Sequence, residues 1–238
     1  MTSTSKVKPS VVTLIVALMF SIEPLAIADP IDAGTAAMMV GDYATALNLL
    51  RPLANEGSAN AQVLLAWMYD CGHGVAQDDA QALKWYRLAA SQGNAEAQSS
   101  VGWAYHTGQG VGQDYSEALK WYRLGAGQDE SSAQFYLGVM YLNGHGVAQN
   151  YLEALKWYLL AADQGYARAQ FNVGMMYADG LGVTRDYAEA VKWYRRAAIQ
   201  SDEKAQFNLG LMYSKGLGVA QDYVEAHKWF NLVHADAN

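Results

Sequence analysis

Past residue 58 the apolar positions fall into short segments with helical spacing, and the segments come in pairs. In the middle of the chain Ala133, Leu137, Met140 and Tyr141 stand at i, i+4, i+7 and i+8, the stripe of an amphipathic helix. Gly144-His145-Gly146-Val147 interrupts it, because two glycines can take positive φ and let the chain reverse tightly. Asn150 and Glu153 then match a capping box, and Ala154, Trp157, Tyr158 and Ala161 form the stripe of a second helix. The pattern predicts a helix, a tight loop and a second helix, called A and B below.

The pattern returns every 36 residues. Ala-Gln stands at Ala61-Gln62, Ala97-Gln98, Ala133-Gln134, Ala169-Gln170 and Ala205-Gln206. The same interval separates Trp85, Trp121, Trp157, Trp193 and Trp229, and also Gly72/Gly74, Gly108/Gly110, Gly144/Gly146, Gly180/Gly182 and Gly216/Gly218. Five units, 61–96, 97–132, 133–168, 169–204 and 205–238, tile the chain without an insertion. A unit of this size cannot bury its own apolar face and stacks on its neighbours, so the period predicts an all-α solenoid of antiparallel helix pairs. Asp114/Glu117, Asp186/Glu189 and Asp222/Glu225 repeat the capping box, with Asp78/Gln81 as a milder version. In each box the first residue is expected to accept from the N3 amide and the Glu to reach back to the cap. Residues 29–60 hold a degenerate pair joined by Gly41-Asp42, expected as an N-terminal cap for the array. At the other end Trp229, Phe230 and Val233 lack a following helix A, which makes that end a candidate for fraying or docking.

A different pattern precedes the array. Lys6 and Lys8 stand before an apolar run from Val11 to Ile22, and Ala26-Ile27-Ala28 offers a small-x-small cleavage site. The run falls short of the ~20 residues of a spanning helix, and Glu23-Pro24 stops it. Residues 1–28 therefore read as a secretory signal peptide cut before Asp29, leaving no stable membrane anchor. Overall the 238 residues are 52% hydrophobic and 16% charged with a single Cys, which excludes both a disordered chain and a disulfide scaffold. The net charge of −7 argues against nucleic acid, which needs clustered Lys and Arg. In an oxidising compartment Cys71 is either buried or available for an intermolecular bridge, so a monomer is expected, with a Cys71 disulfide dimer as the alternative.

The third unit, Ala133-Gln134-Phe135-Tyr136-Leu137-Gly138 … Met140-Tyr141 … Gly144-His145-Gly146-Val147 … Tyr151 … Glu153-Ala154 … Lys156-Trp157-Tyr158 … Ala161-Ala162, resembles the Sel-one-like repeat family, a branch of the tetratricopeptide-like α-solenoids. The resemblance covers residues 61–238 and implies a right-handed superhelix whose concave face, lined mostly by A helices, holds peptides or protein surfaces. It also implies an exported bacterial adaptor or scaffold that binds a protein or peptide, expected in the periplasm, with a secreted factor that binds a host protein as the alternative. Ala66 departs from the helix-A glycine of the other units, and Asp129 and Ser201 replace the inter-repeat Gly93 and Gly165, which leaves helix ends open at those points.

Chemistry is sparse. Ser201-Asp202-Glu203-Lys204 contains the Ser-x-x-Lys of β-lactamase-like relatives, but the companion motifs and paired cysteines are missing. A β-lactamase-like hydrolase stays as the alternative to a non-enzymatic scaffold. His73 and His145 occupy one loop position two repeats apart, too far to share a metal, and His227 and His234 lack further ligands, so no metal or other cofactor is expected. The glycine pairs are not phosphate cradles, since no Gly-Lys-Ser/Thr follows them. The periodic tryptophans are expected in the core rather than as sugar platforms.

In a repeat array the constant positions build the scaffold and the positions that vary between units are free for recognition. Four variable columns of helix A, headed by Asn60, Leu64, Trp67 and Cys71, are spaced 4, 3 and 4 apart and share one helical stripe. The candidate partner-binding residues are Trp67, Trp103, Tyr136 and Met175 as apolar anchors and Arg168, Asn172 and Asn208 as polar readers. The alternative is that these columns are merely solvated or tolerant of packing.

Overall fold

The computed structural model describes residues 29–235, so the expected signal peptide, residues 1–28, lies outside the described residues. Twelve helices and no strand occur among them. The terminal pair is α1 (Pro30–Met39) and α2 (Tyr43–Asn55). The repeats follow as α3 (Ala59–Cys71) with α4 (Asp79–Ser91), α5 (Ala95–Thr107) with α6 (Tyr115–Ala126), and α7 (Ser131–Asn143) with α8 (Tyr151–Asp163). Next come α9 (Ala167–Asp179) with α10 (Tyr187–Ala198) and α11 (Glu203–Lys215) with α12 (Tyr223–Ala235). Consecutive helices pack along the whole array, and α5 also touches α7, as α1 touches α3. At these two points the first helices of neighbouring pairs meet directly.

The periodic residues can now be given causes. Each A helix ends on the first loop glycine, which takes a left-handed conformation with φ of 67–83°. The second glycine also has positive φ, and it lies against the start of the preceding helix B: a β-carbon on Gly146 would stand 2.7 Å from the Tyr115 carbonyl oxygen. The Ala-Gln glutamines are buried. Gln62, Gln98, Gln170 and Gln206 donate to the Ala54, Ala90, Ala162 and Ala198 carbonyls at the end of the preceding B helix. Gln92, Gln128, Gln164 and Gln200 in turn donate to Gln62, Gln98, Gln134 and Gln170, each at 2.8 Å. A buried amide with these partners ties three helix ends together.

The expected capping box is realised only by half. Asp78, Asp114, Asn150, Asp186 and Asp222 accept from the N3 amides of Gln81, Glu117, Glu153, Glu189 and Glu225. The glutamates do not reach back; Glu117, Glu153, Glu189 and Glu225 pair with Lys120, Lys156, Lys192 and Lys228 one turn on. The reason is that the cap N–H is already taken, donating to the carbonyl of Tyr69, Tyr105, Tyr141, Tyr177 or Tyr213 in the A helix of the same unit. Asp129 and Ser201 adopt the conformation of the glycines they replace, with φ of 60° and 62°, and the helices before them, α6 and α10, end one residue early.

The core is a chain of apolar clusters between successive helices. Tyr122 and Tyr158 are fully buried, each ring filling the space left by a helix-A glycine, Gly102 or Gly138. Burying a ring of this size contributes about 1.5–3 kcal/mol. Trp193 and Trp229 are buried as core residues, while Trp85, Trp121 and Trp157 are half-buried and pack against the same clusters. The C-terminal end is less bare than its sequence suggests. Trp229 is buried against Ala178, Tyr194, Leu209 and Met212 of the preceding helices, and Phe230 and Val233 remain half-buried.

Candidate functional site

The variable columns of helix A stay at the surface: every member is half-buried or exposed. Two cavities open along them. The first, 590 Å³, spans repeats one to three and is lined from the variable columns by Glu96, Ser100, Trp103, Ser132 and Tyr136. Asp70, Asp79, Tyr86, Ser99, Gln109 and Glu130 complete much of its wall. The second, 400 Å³, lies further along and is bordered by Phe135, Arg168, Phe171, Asn172, Asp202, Glu203 and Lys204, with Ser201.

The rings of Trp103 and Tyr136 meet with centroids 5.0 Å apart, and Tyr136 stacks on the buried Tyr122 at 5.2 Å. The Trp103 indole N–H donates to Gln109 Oε1 at 2.8 Å, and Ser99 and Ser132 share a hydrogen bond of 2.8 Å across α5 and α7. The aromatic wall is thus held from below and from the side. Burial raises the Asp70 carboxyl above its usual range, and the charge of Asp79 adds to it. Glu96 is raised in the same way, by desolvation and then by Glu130.

Of the candidate residues, Trp103 and Tyr136 come together in the first cavity and Arg168 and Asn172 in the second. Trp67, Met175 and Asn208 border neither. Trp67 lies 4.9 Å from His73 in a small aromatic cluster with Tyr43, Met175 packs on the apolar cluster around Val173, and the Asn208 amide bonds back to the Lys204 carbonyl at 2.9 Å. Asp70, Asp79 and Glu130 escaped the sequence reading because they sit outside the variable stripe. Only Asp79 carries a signal in the sequence: it stands where the other four units have Tyr115, Tyr151, Tyr187 and Tyr223.

The histidines pair differently from their sequence spacing. His145 stacks on Tyr115 at 4.4 Å and meets His106 at 5.5 Å, with burial and His145 both lowering the His106 pKa. The His234 side chain lies outside the described residues. Among the described residues no group of three or more His, Cys, Asp or Glu side chains is placed to hold a metal ion, and Cys71 is an exposed free thiol. Also among them, no helix is long and apolar enough to cross a membrane.

The stacked helix pairs and the glycine loops, returning every 36 residues, define an α-solenoid repeat protein. The chain belongs to the Sel1 repeat family: residues 59–94, 95–130, 131–166, 167–202 and 203–232 each match the Sel1 repeat. These limits run two residues ahead of the Ala-Gln frame and coincide with the starts of the A helices. Similar solved structures include a protective antigen present in uropathogenic Escherichia coli strains, displaying an SLR fold, at 40% identity over 82% of this chain with a TM-score of 0.74. The chain spans 42% of the length of that antigen. A Sel1 repeat protein from Oxalobacter formigenes is 34% identical over 89% of this chain and 84% of its own, with a TM-score of 0.79. An immunity protein from Pseudomonas aeruginosa shares the fold at 21% identity over 88% of this chain and 83% of its own, with a TM-score of 0.62. Among curated proteins none matches.

Proposed function

We propose that this Sel1 repeat protein is a non-catalytic scaffold of the bacterial envelope, holding a protein or peptide partner against its A-helix face. One observation carries the reading: the variable columns converge on a 590 Å³ cavity with a propped aromatic pair, Trp103 and Tyr136, at its wall. Large rings held in place at low entropic cost are what an interface anchor needs. Export rests on the reading of residues 1–28. Asp29, the first residue after the expected cut, caps α1 by accepting from the Ile31 amide at 2.9 Å, so cleavage there leaves every described helix whole.

The test is a crosslinked pull-down from envelope extract with the chain from Asp29 onward, beside a Trp103→Ala/Tyr136→Ala variant. A protein recovered by the parent and lost with the variant supports the groove; equal recovery by both overturns it. Fractionating culture supernatant against periplasm checks the location, and the expected outcome is the periplasm. In a nitrocefin assay the purified protein is expected to be inert, and turnover would instead support the hydrolase alternative.

A further inference from the structure

The first cavity exists because two positions depart from the repeat. Asp79 stands in the column of Tyr115, Tyr151, Tyr187 and Tyr223, and Ser99 in the column of Val63, Phe135, Phe171 and Phe207. Both side chains are smaller than the rings that units three to five carry in these columns, and both line the space that Trp103 and Tyr136 border. The departures and their neighbours also give the space one sign of charge. Asp70, Asp79, Glu96 and Glu130 line it, and no Lys or Arg does.

Among the described residues none of these four carboxylates forms an ion pair, although Glu130 is spent in part on capping α7 through the Ser132 and Ala133 amides. Asp79 Oδ1 is buried without a hydrogen-bond partner, a costly state for a carboxylate oxygen. Asp70 and Glu96 are both raised, by burial first and then by a like charge, Asp79 for the one and Glu130 for the other. Arg168 reaches the Tyr136 hydroxyl but pairs with none of these acids, and carboxylates without an ion pair beside two aromatic rings form a matched environment for a cationic side chain.

We propose that this cavity receives a lysine or arginine side chain of the partner, held between the rings of Trp103 and Tyr136 and the carboxylates of Asp79 and Glu96. The inference rests on the groove reading above and narrows it to a partner that presents a basic segment. The second cavity sharpens the contrast: Arg168 and Lys204 sit there beside Asp202 and Glu203, so its charges offset one another.

To test this, peptides are selected from a random display library against the chain from Asp29 onward, which holds all twelve described helices. Each selected peptide is then measured again with Arg replaced by citrulline or Lys by norleucine. The expected peptides share a basic residue and lose about tenfold or more in affinity when it is neutralised. Binding should fall comparably on Glu96→Gln, a surface change of nearly the same shape, and further on Glu96→Lys, with melting curves confirming that both variants fold. Peptides that depend on Trp103 and Tyr136 yet carry no basic residue overturn the inference and leave the groove reading standing. Peptides indifferent to Trp103→Ala/Tyr136→Ala, or a selection that yields none, overturn both.

Discussion

The two cavities lie on one scaffold and on the same columns of the repeat, yet they differ in size and in charge. The first is 590 Å³ and its charged lining residues are all acids; the second is 400 Å³ and its charged lining residues are of both signs. The difference comes from side chains and not from backbone, because Glu96, Ser132, Arg168 and Lys204 occupy one column of successive A helices. Phe135 and Phe171 fill the column that Ser99 leaves open. A solenoid held together by its constant positions can therefore change its recognition surface one unit at a time, without cost to the stack.

The largest expected effect removes the ring that supports Tyr136 behind the wall of the first cavity. Tyr122→Ala removes a fully buried ring that fills the space at Gly102 and carries Tyr136 on its face, and should cost about 3–5 kcal/mol in urea unfolding. Next, Ser99→Phe restores the ring that the later units carry and should erase the difference between the cavities. Partner binding is expected to fall about tenfold or more, while stability changes by no more than about 2 kcal/mol. Away from the first cavity, Ser201→Gly relieves a left-handed serine at the edge of the second, and a gain of about 1 kcal/mol is expected with binding at Trp103 unchanged.

The smallest effect is electrostatic. The folded pKa of Glu96 is raised, so the neutral form is favoured in the fold; its contribution to stability is full below the unfolded pKa and lost as pH rises through the raised value. Glu96→Gln, which stays neutral, should melt slightly higher than the parent at neutral pH. The difference should close below about pH 4 and shrink with salt.

These contrasts also show what a sequence of this kind reveals. The helix pairs and the loop glycines could be read from spacing because backbone geometry repeats with the chain, whereas spacing at Asp129 and Ser201 left only the helix ends open and the structure supplied their left-handed conformation. The capping glutamates could not, since the competing bond from the cap N–H to the helix-A tyrosine carbonyl is set by tertiary packing. The groove columns were legible as a stripe, and the pairing of Trp103 with Tyr136 follows from stacking neighbouring A helices. Asp70 and Glu130 were not, because they reach the cavity from a helix end and a cap rather than from the stripe, whereas Asp79 is marked by its break in the tyrosine column. Trp67, Met175 and Asn208 share the stripe but turn to local partners, which column spacing does not encode.

The central claim is that the A-helix face, and not the outer B-helix face, meets the partner. Site-specific photocrosslinking in producing cells tests it directly, with a photoreactive residue at Ser100 on the groove wall or at Leu124, an exposed leucine of α6. The account predicts a discrete crosslinked protein from position 100 and none from position 124. A crosslink from position 124 with none from position 100 would contradict it.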